Sequence, residues 1–208
     1  MNTIQEALNR RYATKAYDTT KKVSDEDLHT ILEAMRLAPS SFGLQPWKFI
    51  VVTDMTIREQ LTAASRWQPQ VRDASHLIVL ASKKDMTSKD VEQYLQEIAT
   101  QRNVPLESLD GFKNMLFGYI STLDQPTRKN RNTKQTYIAL WFWLLAAAEL
   151  WIDATPMEGF DSSKFDELLW LTDYSTSVIM PIWYRSSEDA SQHYAKVRFT
   201  AEQVVEYK

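Results

Sequence analysis

The sequence of 208 residues contains no cysteine, which excludes disulfide bonds, thiolate metal sites and thiol nucleophiles. Its three histidines, His29, His76 and His193, lie far apart along the chain. Because cysteine-free zinc sites usually draw on several histidines, this spacing disfavours a histidine metal cluster, and we expect no metal site. The net charge of −3 gives no electrostatic reason to expect a nucleic-acid partner.

Glycine is also scarce, with four residues in the whole chain. Neither a GxGxxG motif nor a GxxxxGKS/T motif occurs, so a dinucleotide-binding or P-loop site of the usual kind is excluded. A bound phosphate would therefore be held by side chains more than by a glycine-rich loop. The N-terminal residues lack the apolar core of a signal peptide, so we expect a cytoplasmic protein. No domain boundary or internal repeat is visible, and we expect one domain over residues 1–208.

The most apolar stretch is residues 136–152, in which Glu149 is the only charged side chain. A run of this length is too long for a strand and predicts a helix buried over most of its circumference. A transmembrane span needs about 20 predominantly apolar residues, so Glu149 makes membrane insertion the weaker interpretation. We expect Trp141, Trp143 and Trp151 to point in different directions around this helix, so that a second subunit could supply part of its cover.

The remaining patterns predict a small sheet with helices on its faces. Apolar and β-branched runs predict strands at 49–53, 76–81 and 175–184, with Pro181 marking an edge or a bulge, and residues 204–205 also have strand character. Helical patterns occur at 2–10, between Ser24 and Pro39, and at 56–65, 85–102, 111–123 and 162–170, while residues 71–75 are expected to be a connector. Because helices separate the strands, the fold class is α+β or α/β.

Basic side chains occur near both ends of the chain. Arg11 and Lys15 lie near the N-terminus, and Lys196 and Arg198 lie near the C-terminus. Two residues apart in an extended segment, Lys196 and Arg198 would project from the same face. If the two ends converge, these groups could bind a phosphate dianion, for which arginine offers paired donors. The alternative is a set of solvated surface charges.

Two loops containing proline and glycine, residues 39–47 and 156–161, lie beside apolar elements. Such loops can direct backbone N–H groups at a ligand, although ordinary turns have the same composition. Ser40 and Ser41 lack the context of a nucleophile elbow, and Glu158 has no partner acid. Neither a serine hydrolase nor a paired-carboxylate hydrolase is supported.

Five of these stretches together resemble the nitroreductase family. They are residues 11–15 (RYATK), 38–47 (APSSFGLQPW), 68–75 (QPQVRDAS), 156–161 (PMEGFD) and 196–198 (KVR), and they stand in the order and at the spacing of that family. The resemblance covers about residues 4–199. It implies an α+β sandwich with a central antiparallel or mixed sheet flanked by helices, and a long central helix at a homodimer interface. It also implies FMN as the cofactor and NADH or NADPH as the co-substrate.

The resemblance further implies roles for individual residues. Around the FMN phosphate and ribityl chain it places Arg11, Tyr12, Ala13, Lys196 and Arg198. Bordering the flavin ring from the second subunit it places Pro39, Ser40, Ser41, Phe42 and Gly43. Lining the ring or its edge it places Trp67, Gln70, Pro156, Met157, Glu158 and Gly159. Lys15 would lie near the pyrimidine edge, and a backbone N–H of Glu158 or Gly159 would point at flavin N5, so these positions are the catalytic candidates.

The implied mechanism is ping-pong: NAD(P)H delivers hydride to flavin N5, the oxidised nicotinamide leaves, and a nitroaromatic, quinone or related acceptor takes its place. No acid or nucleophile from the protein is required, since the cofactor supplies the reactivity. Tyr12, Trp67, Trp151 and Trp183 depart from the family pattern, the last two replacing common glycines. These departures motivate an alternative, a protein that stores or senses flavin with little turnover.

Overall fold

The computed structural model describes residues 4–208, so residues 2–3 of the predicted first helix lie outside the described part. In chain order the elements are α1 (Ile4–Arg10), α2 (Asp25–Arg36), β1 (Trp47–Val52), α3 (Met55–Ala64), α4 (Pro69–Asp73), β2 (His76–Lys83), α5 (Ser88–Arg102), α6 (Asp110–Ser121), α7 (Gln125–Glu149), β3 (Asp153–Ala154), α8 (Ser162–Leu168), β4 (Tyr174–Trp183) and α9 (Ala201–Val204). Short 3₁₀ turns occupy Ser41–Gly43, Leu106–Leu109 and Ala190–His193.

The four strands form one antiparallel sheet in the order β1-β2-β4-β3. The three predicted strands are confirmed as β1, β2 and β4, with ends that differ by at most two residues. Strand β3 was not predicted, because two residues are too few to show an alternating pattern. The helices that separate the strands allow neighbours in the sheet to be antiparallel without a tight hairpin between them.

Pro181 lies inside β4, which pairs with β2 on one side and with the short β3 on the other. The predicted edge position is therefore wrong, and the irregularity in the pairing of these strands is at Leu80 and Ala81 of β2. Proline is tolerated because its carbonyl accepts the N–H of Thr155, on the β3 side, at 3.4 Å. Its ring nitrogen points to the same side, so β2 loses no hydrogen-bond donor.

Side chains alternate between the two faces of the sheet and form two apolar layers. Ile78 and Met180 belong to the layer beneath α2 and α7, and Leu77 and Ile179 belong to the layer beneath α3 and α8. Both layers are fully buried at these positions. The sheet therefore has helices on both faces, as the fold class predicts.

The predicted central helix is confirmed as α7, which has 25 residues and is about 37 Å long. Its buried face carries Trp143 and Ala147, but Ile138, Trp141 and Phe142 remain 37%, 53% and 40% exposed. These three residues are spaced i, i+3 and i+4, so they share one face of the helix. The helix is apolar on two faces, and only one of them is covered by the chain itself.

The helix ends at Glu149, so the prediction that it reaches residue 152 and carries Trp151 is wrong. The N–H of Ile152 donates to the carbonyl of Ala147 at 2.8 Å, and that of Trp151 to Ala148 at 3.2 Å. This is the Schellman motif, in which the residue after the C-cap is left-handed and is usually glycine. Trp151 has φ 61°, so a tryptophan occupies the glycine position.

Two further predictions are corrected. Residues 204–205 do not form a strand: Val204 ends α9, whose first turn has a capping box between Thr200 and Gln203. The expected connector at residues 71–75 is helical as far as Asp73, because Pro69 begins α4. Ser24 is the N-cap residue of α2: its hydroxyl accepts the N–H of Asp27 at 3.1 Å and donates to the Asp27 carboxylate at 2.8 Å.

Candidate active site

The two ends of the chain converge on one cavity of about 440 Å³. Arg11 lies at the end of α1, and Lys196 and Arg198 lie in the irregular segment after the last 3₁₀ turn, yet all three line this cavity. Tyr12 and Ala13 line it as well. The structure therefore brings together the basic residues that the sequence places almost 190 positions apart.

Three of the four basic side chains that line this cavity lack a carboxylate partner among residues 4–208; the fourth, Arg10, lies 3.8 Å from Asp153. None of the ion pairs among residues 4–208 involves Arg11, Lys196 or Arg198. Burial lowers the pKa of Arg11, and the charge of Arg198 lowers it further. Burial and the charges of Arg11 and Arg198 likewise lower the pKa of Lys196. Three cations that repel one another around a cavity favour a bound anion.

Lys196 is held by the end of α1. Its ammonium group donates hydrogen bonds to the carbonyls of Leu8 and Arg11. The carbonyl of Leu8 lies in the last turn of α1 and that of Arg11 directly after it, where carbonyls lack an N–H donor within the helix and the helix dipole favours a cation. Lys196 therefore joins the C-terminal segment to α1, and its remaining N–H is free to serve a ligand.

Asp189 connects the C-terminal segment to residues 15 and 16. Its Oδ2 accepts the backbone N–H of Lys15 at 2.7 Å and of Ala16 at 3.1 Å. Asp189 is only 2% exposed, and this burial alone would raise its pKa. The backbone N–H donors of Lys15, Ala16 and Ser191 outweigh that effect and lower the pKa of Asp189 to about 2. No sequence pattern indicated this role, since Asp189 stands in an ordinary polar loop.

The loop of residues 156–159 runs beside β4 and close to the Lys15 segment. Met157 and Ile179 exchange backbone hydrogen bonds of 2.9 and 3.0 Å, and Thr155 Oγ1 donates to the carbonyl of Thr14 at 3.2 Å. In the part of the chain that the structure describes, the backbone N–H groups of Glu158 and Gly159 have no acceptor. Two adjacent donors are thus available to a ligand.

Gln68, the residue before α4, contacts the same loop, and Gln70 lies in α4 itself. Gln68 Nε2 donates to the carbonyl of Gly159 at 3.1 Å. Gln70 is buried, and its Oε1 has no hydrogen-bond partner within residues 4–208. A buried acceptor without a donor is costly, so this atom fits a site that a ligand completes. Trp67, in contrast, is 75% exposed and has φ 58°.

Tyr137 of α7 is a site residue that the sequence did not indicate. Its hydroxyl donates to the carboxylate of Glu158, and it also lies 3.5 Å from the carbonyl of Ser177. Burial, followed by the hydrogen bond to Glu158, raises the pKa of the Tyr137 hydroxyl. Because Tyr137 stands at the start of the apolar run, the sequence pattern is that of a core residue. Glu158 itself is exposed, and its side chain is directed by this bond.

The loop that contains residues 39–43 is held near the other end of α7. The N–H of Ser41 donates to Gln135 Oε1 at 2.7 Å, and the ring of Phe42 lies 5.2 Å from that of Tyr119 in an edge-to-face arrangement. Arg10, beside the cationic cavity, donates to the carbonyl of Ala148 at 3.1 Å. The two contacts on α7 are thirteen residues apart, or about 20 Å along the helix. Within one chain, the structure does not bring this loop to the cationic cavity.

A buried ion pair stands behind the cavity. Arg185 Nε donates to Asp153 Oδ2 at 2.9 Å, and the backbone N–H of Arg185 donates to the same oxygen at 3.0 Å. The guanidinium of Arg185 lies 4.5 Å from the ring centre of Tyr12, and that of Arg10 lies 4.5 Å from the ring centre of Trp151. Tyr12 and Trp151, both departures from the family pattern, thus pack against two arginines, of which Arg10 lines the cavity.

Neither a metal cluster nor a membrane span is visible in the part of the chain described. Within residues 4–208, no three histidine or carboxylate side chains are grouped as metal ligands. None of the helices in this range combines the length and the apolar character that crossing a membrane requires.

Known proteins match this chain in sequence and in fold over nearly its whole length. Residues 8–182 match the model of the nitroreductase family. A protein of Staphylococcus haemolyticus, provisionally named an NAD(P)H nitroreductase, is 37% identical over 216 residues that cover 99% of this chain and 97% of its own. A Staphylococcus aureus protein with the same provisional name is also 37% identical, with coverages of 99% and 95%.

Solved structures agree with the fold. A provisionally named Bacillus subtilis nitroreductase superposes with a TM-score of 0.87 at 20% identity, covering 98% of each chain. A provisionally named nitroreductase of Exiguobacterium sibiricum in complex with FMN gives 0.86 at 21% identity, covering 100% of this chain and 98% of its own. The family model spans most of the chain and the relatives span nearly all of it, so this protein belongs to the nitroreductase family.

Proposed function

We propose that this protein is an FMN-dependent oxidoreductase that takes hydride from NADH or NADPH and passes it to a nitroaromatic, a quinone or a related acceptor. The observation that carries the proposal is the convergence of Arg11, Lys196 and Arg198, without carboxylate partners, on one cavity. Relatives named NAD(P)H nitroreductases and a structural neighbour in complex with FMN support it.

The residues present fit the cofactor. Arg11, Lys196 and Arg198 would hold its phosphate, because a dianion relieves the repulsion among the three cations. Gln70 Oε1, buried without a donor, would accept a hydrogen bond from the ribityl chain or the ring edge. When bound, FMN supplies the chemistry of accepting and donating hydride at N5.

The remaining residues have positioning and electrostatic roles. The free N–H groups of Glu158 and Gly159 offer donors to the ring without requiring a particular side chain. Lys15 is exposed, and its backbone is held by Asp189, so its charge is available beside the site. A fixed positive charge near the ring would favour the electron-rich reduced state. No side chain is needed as a nucleophile.

We further propose that the protein works as a homodimer with α7 at the interface. The exposed apolar face of Ile138, Trp141 and Phe142 needs cover, and a helix that is apolar on opposite faces is typical of a buried position. Residues 39–43 lie about 20 Å from the cationic cavity along α7, so they would reach a flavin only from a second copy of the chain. This separation supports a site that two chains build together.

An absorbance spectrum followed by anaerobic reduction tests the proposal. We expect a yellow protein that NADH or NADPH bleaches, and that oxidises the nicotinamide when menadione or a nitroaromatic compound is added. A colourless protein that takes up no added FMN would refute flavin dependence. Tight flavin binding without nicotinamide oxidation in the presence of several acceptors would favour the alternative, a flavin-binding protein with little turnover.

A further inference from the structure

A second cavity, of about 550 Å³, lies at the end of the sheet where β1 and β4 finish and β2 begins. Its walls include Tyr17, Arg58, His76 and Trp183, and it shares no lining residue with the cationic cavity at the proposed FMN phosphate site. The volume is within the range of about 300–1,000 Å³ that is usual for small-molecule sites. Nothing in the proposed oxidoreductase function uses this cavity.

The lining is positively charged. Without counting His76, the lining contains four basic side chains and two acidic ones, Asp18 and Asp73. Both carboxylates are already engaged: Asp18 lies 3.2 Å from Lys21 Nζ, and Asp73 accepts a hydrogen bond of 2.9 Å from Arg72 Nη2. The charges of the other two basic residues, Lys22 and Arg58, are therefore not compensated by these carboxylates.

Arg58 contributes a buried charge, because only 4% of the residue is exposed. Its guanidinium donates to the carbonyls of Val52 at 2.9 Å and Ala74 at 2.6 Å, and more weakly to those of Arg72 and Ser75. Carbonyl oxygens satisfy its hydrogen bonds but do not neutralise its charge. The side chain has five N–H groups, so one of them has no acceptor among these four bonds.

The cavity is also rich in hydrogen-bond donors. Trp183 is 1% exposed, and its indole N–H has no acceptor among residues 4–208. Ser75 Oγ accepts the N–H of Val23 at 2.8 Å and lies 3.1 Å from His76 Nδ1. Which of these two atoms donates depends on the tautomer of His76, because the serine oxygen has a second lone pair. Buried donors and an uncompensated cation are the features that bind an oxyanion.

We infer that this cavity is a second binding site, for a small molecule that carries a phosphate or carboxylate group, and that Lys22, Arg58, His76 and Trp183 recognise that group. The family resemblance described above implies a glycine in many members at the position of Trp183. This cavity shares no lining residue with the cationic cavity, so it can exist whether or not the proposed redox function is correct.

The test is a titration of the purified protein with inorganic phosphate and, separately, with citrate, at constant ionic strength and with FMN in excess. Excess FMN occupies the cationic cavity proposed for the FMN phosphate, so the added anions do not bind there. The readout is the NMR resonance of the His76 ring, assigned by His76→Gln. Burial and then the charge of Arg58 lower the pKa of His76, with Lys22 acting in the same sense and Asp25 in the opposite one. A bound anion should raise that pKa in a saturable way.

Two variants with matched controls localise the binding. Trp183→Phe removes the orphan donor and should weaken anion binding about tenfold, whereas Trp170→Phe, at an exposed position outside the cavity, should leave it unchanged. Lys22→Gln should weaken binding about two- to fivefold, and Lys134→Gln should not. If Trp183→Phe fails to fold, the lysine pair still decides.

Comparing the two anions shows whether the cavity accepts a phosphate group or a carboxylate group. Saturation by phosphate only, or by citrate only, identifies the ligand class and supports the inference. A His76 resonance that neither anion moves overturns it. So does an affinity that is the same in the wild type, Trp183→Phe and Lys22→Gln.

Discussion

The carboxylate of Asp189 accepts the backbone N–H of Lys15 at 2.7 Å, across 174 positions of the chain. This contact joins the segment that follows α1 to the segment that leads to Lys196 and Arg198. Neither segment has regular secondary structure at this point, so the position of the basic residues depends on such contacts more than on a ladder of backbone bonds.

Asp189→Ala should therefore loosen both halves of the cationic cavity. Leaving the partly buried N–H groups of Lys15 and Ala16 without an acceptor should cost about 1–3 kcal/mol of unfolding free energy, and FMN affinity should fall with it. Chemical denaturation and a flavin titration measure the two effects.

The contribution of Asp189 depends on pH in a defined direction. Its pKa is about 2 in the folded protein, below that of an unfolded aspartate, so its stabilisation is complete above about pH 4–5 and is lost as the pH falls towards 2. The difference in unfolding free energy between the wild type and Asp189→Ala should shrink between pH 5 and 3. A difference that stays constant would contradict the assigned pKa.

Arg11 and Arg198 should not contribute equally to flavin binding. Arg11 is half-buried, whereas Arg198 is exposed and donates to the carbonyl of its neighbour Val197 at 2.6 Å. Arg11→Ala should reduce FMN binding by about 2–5 kcal/mol, and Arg198→Ala by about 1 kcal/mol or less. Lys134→Ala serves as a control for the loss of one positive charge. Equal retention of FMN in all three variants would show that the phosphate binds elsewhere.

Trp151 occupies a left-handed position that suits glycine. Trp151→Gly and Trp151→Ala both remove the ring that lies over Arg10. The difference in stability between them therefore reports the cost of the left-handed backbone for a residue other than glycine. The glycine variant should be more stable than the alanine variant by about 1 kcal/mol. Thermal or denaturant unfolding of the two proteins under the same conditions measures it, and an alanine variant of equal stability would argue against the left-handed backbone.

Trp141 is the central exposed side chain on the outer face of α7. If this face is covered by a second copy of the chain, Trp141→Glu should convert the dimer to a monomer, because a charge cannot be buried there without a partner. Sedimentation velocity detects the change, and FMN retention should fall in parallel. Trp170→Glu, at a position that is 78% exposed and outside α7, should change neither quantity.

Tyr137→Phe removes the hydroxyl that directs Glu158. We expect a modest loss of stability, about 0.5–1.5 kcal/mol, and faster hydrogen exchange at residues 156–160. Phenylalanine preserves the ring packing, so a change confined to this loop would show that the hydroxyl positions it. Equal exchange rates at residues 156–160 in the wild type and in Tyr137→Phe would contradict that role.

Much of the fold follows from local patterns that the sequence displays. Strands β1, β2 and β4 consist of β-branched and apolar runs that predict strands whatever their order in the sheet, and the apolar run in α7 is too long for a strand. The absence of cysteine and the scarcity of glycine exclude whole classes of site without reference to any structure. The five motifs together carry the resemblance to the nitroreductase family.

Contacts between distant segments were decided only by the tertiary structure. The end of α7 was misplaced because nothing local shows that Trp151 adopts a left-handed conformation, which tertiary packing imposes against its intrinsic preference. Tyr137 and Asp189 resemble an ordinary core residue and an ordinary loop residue until their partners, Glu158 and Lys15, are brought beside them. Charge, hydrophobicity and periodicity belong to the sequence itself, but a hydrogen bond across 174 residues exists only once the chain has folded.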